Sequence, residues 1–153
     1  MKTFINPELE EKNISLDFSI DEDLPSAMID PKLFKQVIIN LVQNSIHALE
    51  KSTDKKIIIS IKYYEQKIII SFADTGCGMD KETCDRIFEP YFTTKVTGTG
   101  LGLTMVYKIL QEFGGNIEVQ SHLGKGTVFL ISLPGLQKDK YILEYKDYSG
   151  GEK

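Results

Sequence analysis

The chain has 153 residues, of which 41% are hydrophobic and 26% are charged, which suits one globular domain with a single core. Its net charge of −4 excludes a general electrostatic attraction to nucleic acid or anionic membranes. No apolar run reaches the roughly 18 residues that span a bilayer, and the N-terminus lacks a signal-peptide core, so no direct membrane contact is expected.

The first third of the chain predicts the end of a helix, one strand and one long helix. The first dozen residues are typical of a helix tail that runs into a turn. Residues 14–20 alternate apolar and polar side chains, as a half-buried strand does, and residues 21–25 form a turn. Asp30-Pro31 begins a helix that should run to about Glu50, because the aspartate can cap the first free amides and proline suits the first helical position.

The rest of the chain predicts four strands, a short helix and a second long helix. Residues 57–64 and 67–73 are rich in β-branched side chains and form two strands joined by a tight turn. A segment rich in glycine and threonine follows, with room for a short helix at 81–87. The second long helix covers residues 102–113, and strands follow at 116–122 and 127–133. This order predicts an α+β two-layer sandwich with helices on one face of a mixed sheet.

A stripe of uncharged polar side chains marks one face of the first long helix. At about 100° per residue, these side chains share one sector: Gln36, Asn40, Gln43, Asn44 and His47. The stripe is too polar for a dry core and carries fewer charges than an open surface normally does. It suits a cleft in which amide oxygens meet a hard cation and N–H donors meet phosphate oxygens. A polar face packed beneath a loop explains the stripe about as well.

Asp74 follows a buried strand and precedes two glycines, Gly76 and Gly78. A carboxylate there can accept a hydrogen bond from an amine such as the exocyclic amino group of adenine, and the glycines let a ring approach bare backbone. Two alternatives are a turn-forming aspartate and the Asp-Thr-Gly triplet of an aspartic protease, which a homodimer would pair. The protease is disfavoured because those enzymes are almost wholly β, whereas this chain has two long helices.

Residues 88–103 combine glycines, threonines and a lysine in a segment that ends where a helix begins. Alternating glycines free successive backbone N–H groups, and the helix N-terminus adds partial positive charge, so the segment favours an anion. Lys95 supplies a mobile cation, and Phe88 and Phe92 are predicted to anchor the segment to the core. The spacing matches neither the dinucleotide fingerprint nor a Walker loop. Residues 124–127, Gly-Lys-Gly-Thr, predict by themselves only a hairpin turn.

Taken together and in this order, the segments resemble the catalytic domain of two-component sensor histidine kinases, whose superfamily includes DNA gyrase, the ninety-kilodalton heat-shock chaperones and the mismatch-repair ATPases. The matching motifs are Asn-Leu-Val-Gln-Asn-Ser at 40–45, Asp-Thr-Gly-Cys-Gly at 74–78, Phe-Glu-Pro-Tyr-Phe-Thr-Thr-Lys at 88–95, Gly-Thr-Gly-Leu-Gly-Leu at 98–103 and Gly-Lys-Gly-Thr at 124–127. The resemblance implies a mixed sheet of about five strands, three helices on one face and ATP under a flexible lid.

The resemblance also divides the chain into three parts. Residues 1–13 would be the end of a preceding helical dimerisation region or a linker, and residues 14–134 would be the catalytic ATP-binding domain. Residues 135–153 would be a C-terminal tail, in which 141–145 are compatible with an edge strand or with a mobile segment.

Roles for individual residues follow from the resemblance. Asn44 would ligate Mg²⁺, Asp74 would bind the adenine amino group, and Asn40, His47 and Lys95 would be catalytic residues near the phosphates. Further implied contacts to the nucleotide come from Asn44, His47, Gly76, Gly78, Met79, Thr94, Lys95, Gly98, Thr99, Gly100, Leu101, Gly102, Leu103 and Thr127. Ser45 and His47 stand where the family often has alanine and lysine.

Asn40 favours phosphate transfer over free-standing ATP hydrolysis. Hydrolases of the superfamily carry a general-base glutamate four residues before the metal asparagine, and an amide cannot take that proton. The domain's task would then be positioning and charge neutralisation. The two histidines, His47 and His122, do not lie in an acceptor motif, so the acceptor would belong to a separate domain and the chain alone should bind ATP without labelling itself. A nucleotide-binding module that reports ATP by lid closure stays open as an alternative.

The expected partners are the helical dimerisation and phosphoacceptor domain of the same kinase and a downstream response regulator, with no nucleic acid. Cys77 and Cys84 have no further cysteine or histidine at metal-ligand spacing. We therefore predict free thiols in a reducing cytoplasm.

Overall fold

The computed structural model describes residues 2–96 and 98–136, and the predicted tail lies almost wholly outside them. The described helices are α1 (Lys2–Glu11), α2 (Pro31–Ala48), α3 (Lys81–Arg86) and α4 (Gly102–Glu112). The described strands are β1 (Ser15–Ile20), β2 (Ser26–Ala27), β3 (Lys56–Tyr64), β4 (Lys67–Asp74), β5 (Asn116–His122) and β6 (Gly126–Leu136). Within these ranges, none of the helices combines the length and apolar character needed to cross a membrane.

The strands form one mixed sheet, which confirms the α+β prediction. Its order is β1-β3-β4-β6-β2, and β5 also pairs with β6. Strand β1 runs parallel to β3, whereas the other pairs are antiparallel. Among the described residues the sheet has six strands where about five were expected, because the two residues of β2 pair with the end of β6. Nothing in so short a segment marks it as a strand before its partner is known.

One face of the sheet carries the core. Phe72 of β4 is opposite Ile59 of β3 and Phe129 of β6, and all three belong to one buried cluster with α2 and α4. Phe72 is fully buried, and burial of such a side chain contributes about 1.5–3 kcal/mol. The same alternation places Asp74 and Thr127 on this face, opposite each other, where β4 ends and β6 begins. The strand period therefore points two polar side chains towards the helices.

Helix α2 begins where the sequence predicts. The Asp30 carboxylate accepts hydrogen bonds from the backbone N–H groups of Lys32 (2.7 Å) and Leu33 (3.1 Å), and Pro31 occupies the first helical position. The apolar side of the helix faces the sheet, and the fully buried Ser45 lies on that side. The start signal is local, which is why it could be recognised from sequence.

The N-terminal segment packs onto the rest of the domain. Leu9 of α1 and Ile14 belong to the buried core. The side-chain amide of Gln43 on α2 donates to the Glu8 carboxylate at 2.8 Å. Part of the segment predicted as a helix end or linker therefore contributes to the core.

Candidate functional site

A cavity of about 400 Å³ opens between α2, the end of β4, the segment after α3 and the start of α4. Its size falls in the range of small-molecule sites, roughly 300–1,000 Å³. Most of the residues singled out from sequence line it: Asn40, Asn44, His47, Asp74, Gly78, Met79, Thr94, Lys95, Gly98, Thr99, Gly100, Gly102, Leu103 and Thr127. Segments that are 87 residues apart in the chain thus meet in one place.

Of the candidate ligand contacts and the amide stripe, three residues do not line this cavity. Gly76 lies beside it, and a Cβ there would approach the Ala48 Cβ to 2.7 Å, so packing requires glycine. Leu101 precedes α4 and is 40% exposed. Gln36 lies on α2 but outside the wall. The other four residues of the amide stripe, Asn40, Gln43, Asn44 and His47, share the cavity wall.

Other wall residues were not among the candidate contacts: Gln43, Ala48, Cys77, Thr83, Ile87, Phe92, Thr93 and Phe129. Gln43 belongs to the amide stripe and Cys77 to the Asp-Thr-Gly-Cys-Gly motif at 74–78, so a signal existed for both. The apolar members have the same sequence pattern as core residues, and only the fold separates wall from core. Both cysteines are free, as predicted.

Asp74 is a buried hydrogen-bond acceptor at the cavity. Its Oδ1 accepts the N–H of Gly76 at 2.9 Å, and its Oδ2 accepts the hydroxyl of Ser45 at 3.0 Å. Burial raises the pKa of the Asp74 carboxyl, although the hydrogen bonds from Gly76, Ser45 and the Thr127 backbone act in the opposite direction. These donors orient the carboxylate, and Asp74 also lines the cavity, where a donor of a bound molecule can reach it.

The raised pKa predicts a pH-dependent cost to the ligand-free fold. Between the ordinary pKa of 3.8 and the higher folded-state pKa, the folded chain binds more protons at Asp74 than the unfolded chain does. This contribution to the free energy of unfolding therefore falls as pH rises through that window. Asp74→Asn removes this pH dependence. From about pH 4 upward, the free energy of unfolding of the variant should therefore rise relative to that of the wild type.

Urea unfolding of both proteins along a pH series measures this difference, and the comparison cancels the other carboxylates. A difference that stays constant with pH, or that shifts towards the wild type, would contradict the assigned effect of burial.

A cation and an amide oxygen also meet in the cavity. The Lys95 ammonium donates to Asn44 Oδ1 at 2.6 Å. Burial lowers the pKa of Lys95, while the Glu50 carboxylate acts in the opposite direction. Glu50 also lies 3.4 Å from Nδ1 of His47. The Asn44 oxygen thus already accepts a hydrogen bond from a positively charged group.

Asn40 offers an unused donor beside this pair. Its Nδ2 is buried and, within the described residues, has no hydrogen-bond partner. A buried donor left unpaired costs about 1–3 kcal/mol, so an acceptor atom bound in the cavity would relieve that cost. Asn40 and Asn44 therefore present a donor and an acceptor on neighbouring turns of α2.

The glycine-rich segment folds back on itself above the cavity. The Tyr91 N–H donates to the Gly100 carbonyl at 3.0 Å, and a Cβ on Gly100 would lie 2.4 Å from the Tyr91 backbone. Phe88 packs against the core and its carbonyl accepts the Thr104 hydroxyl at 3.1 Å, as predicted for an anchor. Phe92 instead lines the cavity beneath the Arg86 guanidinium, which is 4.5 Å from its ring centroid.

The hairpin of residues 124–127 packs directly against the loop that begins at Asp74, residues 74–78. A Cβ on Gly78 would lie 2.0 Å from the His122 carbonyl oxygen, and one on Gly126 would lie 2.0 Å from the Asp74 carbonyl oxygen. The Gly124 N–H donates to the Cys77 carbonyl at 2.7 Å. The hairpin therefore supports the loop that holds Asp74, beyond the turn its own sequence indicates.

The donor set is compatible with a magnesium ion that is held mainly by its ligand. Among the described residues, no group of three or more histidine, cysteine, aspartate or glutamate side chains could hold a metal. Mg²⁺ often takes one or two protein oxygens and completes its shell with phosphate and water. The Asn44 oxygen, which already faces an ammonium group, fits that requirement.

Comparison with known proteins gives one family and several relatives. Residues 29–137 match the family described as histidine kinase-, DNA gyrase B- and HSP90-like ATPase. Sporulation kinase E of Bacillus subtilis is 39% identical over 131 residues, which are 85% of this chain and 18% of that protein. Sensor histidine kinase ZraS of Salmonella typhimurium is 37% identical over 89% of this chain and 29% of that protein. The chain spans less than a third of the length of these relatives.

Solved structures share the fold over most of the chain. A nucleotide-free form of the catalytic domain of histidine kinase ThkA is 34% identical, with a TM-score of 0.75, and covers 88% of this chain and 87% of its own. Full-length ShkA in complex with AMPPNP is 26% identical, with a TM-score of 0.76 over 88% of this chain and 28% of its own.

Proposed function

The chain belongs to the histidine kinase-, DNA gyrase B- and HSP90-like ATPase family, and we propose that it binds Mg-ATP and donates the γ-phosphate to a histidine on a separate helical dimerisation domain. The observation that carries the proposal is one cavity with a buried carboxylate at one place and a donor, a cation and an amide oxygen at another. Such a cavity can hold a base and a phosphate chain together.

Asp74 would hold the base. Its carboxylate is oriented by hydrogen bonds from Ser45, Gly76 and the Thr127 backbone, and it lines the cavity as an acceptor. The exocyclic amino group of adenine supplies the complementary donor. The complex of the structural neighbour ShkA with AMPPNP, an ATP analogue, is consistent with this choice of ligand.

The polar side of α2 and the glycine-rich segment at 88–103 would hold the phosphates. The unpaired Nδ2 of Asn40 would donate to a phosphate oxygen, and Lys95 would move from Asn44 to the phosphate chain. Backbone amides at Gly98 to Gly102 and the start of α4 add partial positive charge. Asn44 Oδ1 would be the protein ligand of Mg²⁺, which when bound neutralises charge on the phosphates.

The residues favour transfer to an imidazole over hydrolysis. Asn40 stands one turn before Asn44 and cannot take a proton from water. A neutral imidazole needs no such base, because its nitrogen lone pair is already nucleophilic. The new bond joins that nitrogen to the γ-phosphorus while the bond to the departing ADP oxygen breaks. The chain's residues would align the phosphate and spread its charge.

The wider setting follows from the same proposal. The acceptor would lie on the helical dimerisation and phosphoacceptor domain of the same kinase, and a response regulator would act downstream. The relatives' names as sensor histidine kinases support this assignment. We place the domain in the cytoplasm, where its free thiols would stay reduced.

Phosphotransfer to the isolated helical domain tests the proposal. With labelled ATP and Mg²⁺, we expect acid-labile phosphate on the histidine of that domain and none on this chain. Asn44→Ala removes the oxygen proposed for Mg²⁺ and should lower the rate by at least roughly a hundredfold, as expected when charge neutralisation at the phosphates is lost. The label is followed by gel and filter assays.

Gln36→Ala is the matched control, because this amide lies on the same helix outside the cavity wall. Its rate should stay near that of the wild type. ATP binding without any transfer would indicate a nucleotide-reporting module and overturn the kinase proposal.

A further inference from the structure

We propose that Ser121 is a positioning residue that fixes the Thr127 hydroxyl as a hydrogen-bond acceptor, so that the base end of the cavity selects an amino group over a carbonyl. The inference rests on the proposed nucleotide function and deepens it. It makes the site selective for 6-aminopurine nucleotides over 6-oxopurine nucleotides, through a residue that does not line the cavity.

Ser121 has three hydrogen-bond partners. It lies on β5 opposite Thr127 of β6. Its Oγ accepts the N–H of Met79 at 2.8 Å and donates to the carbonyl of Gly126 at 2.8 Å. The Thr127 hydroxyl lies 2.9 Å from the same Oγ. These distances are all within the normal range for hydrogen bonds.

The chemistry of these partners decides the direction of the Ser121–Thr127 bond. A serine hydroxyl has one proton and two lone pairs. The Gly126 carbonyl can only accept, so it takes the serine proton, and the Met79 amide can only donate, so it uses one lone pair. The second lone pair must then accept the Thr127 proton. Thr127 is left with lone pairs alone for any further partner.

Asp74, which lies beside Thr127, is also a hydrogen-bond acceptor. The two residues are paired across β4 and β6, and both line the cavity. The carboxylate already receives the Ser45 hydroxyl and the Gly76 N–H, and it has no proton to offer in its charged form. Both groups therefore accept and neither donates.

An amino group satisfies this arrangement and a carbonyl does not. The amino group of a 6-aminopurine has two N–H donors, one for each acceptor, directly or through an ordered water. The carbonyl oxygen of a 6-oxopurine would face two acceptors and lose its own hydrogen bond on leaving water. Ser121 maintains the contrast because it holds the hydroxyl proton of Thr127 away from the ligand.

Binding of ADP and IDP measures the contrast, because the two bases differ in the 6-amino and 6-oxo groups and in the proton that the 6-oxo base carries on N1. That proton is the same for every variant, so a change in relative affinity between variants reports the contact at position 6. We expect the wild type to prefer ADP. In Ser121→Ala the Thr127 hydroxyl is free to rotate and donate to the carbonyl of IDP. The Kd of IDP divided by the Kd of ADP should therefore fall roughly threefold to tenfold, the range for one net hydrogen bond. Ser121→Thr keeps the hydroxyl and should keep the ratio. Calorimetry gives both constants.

A double-mutant cycle separates positioning from general support. In a Thr127→Val background, Ser121→Ala should leave the ratio unchanged, because the group through which Ser121 acts is gone. Thr127→Val by itself should lower the ratio as far as Ser121→Ala does, which keeps the test available if Ser121→Ala does not fold.

Equal weakening of ADP and IDP in Ser121→Ala, with the ratio preserved, would overturn the inference and leave the proposed function standing. A preserved ratio in Thr127→Val would overturn it too. Failure of the wild type to bind ADP would overturn both the inference and the proposed function.

Discussion

Asp74→Asn should weaken ATP binding by at least about a hundredfold, the loss expected when a hydrogen bond to a buried charged acceptor is replaced by an unpaired polar group. The amide has one oxygen for the Gly76 N–H and the Ser45 hydroxyl, which now use separate carboxylate oxygens. Its NH₂ group would meet the amino group of adenine donor to donor. Calorimetric titration with ATP measures the change.

The fold should survive this substitution. The amide has the volume of the carboxylate, and its neutrality removes the cost that burial imposes on the charge. Asp17→Asn is the control, because Asp17 is exposed on β1 and is replaced by the same chemistry. A folded Asp74→Asn chain that binds ATP as the wild type does would refute the assignment of the base site.

Gly126→Ala should lower the free energy of unfolding by at least about 3 kcal/mol, through backbone strain and overpacking together. Gly126 has a φ of +88°, and a Cβ there would lie 2.0 Å from the carbonyl oxygen of Asp74. The Asp74 carbonyl is a backbone group at the end of β4, so it cannot rotate away as a side chain could. Urea unfolding at one pH measures the loss.

Gly124→Ala is the matched control in the same hairpin. Gly124 has a φ of +75°, but a Cβ there would meet nothing within 4 Å. Its substitution should therefore cost only the left-handed backbone conformation, about 1 kcal/mol. Equal losses at the two positions would show that conformation alone, and not the contact with Asp74, requires glycine at 126.

Elements whose signals are local could be predicted. The Asp30-Pro31 start of α2 depends on atoms within three residues, so the sequence contains the whole interaction. The same holds for β3 and β4, whose β-branched side chains favour a strand through local sterics. The missed β2 shows the limit, because two residues become a strand only through pairing with residues 135–136.

The sequence indicated many of the residues of the candidate site, but it did not indicate the hydrogen bonds between them. The amide stripe, Asp74 and the glycine-rich segment were found because each has a repeated or unusual local pattern. The bond from Lys95 to Asn44 joins residues 51 positions apart, and no pattern in either segment indicates it. Wall residues such as Ile87 and Phe129 were missed since apolar side chains look alike wherever they are buried.

The sequence by itself determined which groups this protein brings to a ligand: acceptor and donor amides on one helix face, a carboxylate at a strand end, and glycines where backbone must be bare. The tertiary structure alone decided how those groups are held. Ser45 reaches Asp74 across 29 residues, and Ser121 orders Thr127 from a neighbouring strand. The physical reason is that hydrogen-bond direction depends on every partner of a group at once, and those partners come together only when the sheet and helices have packed.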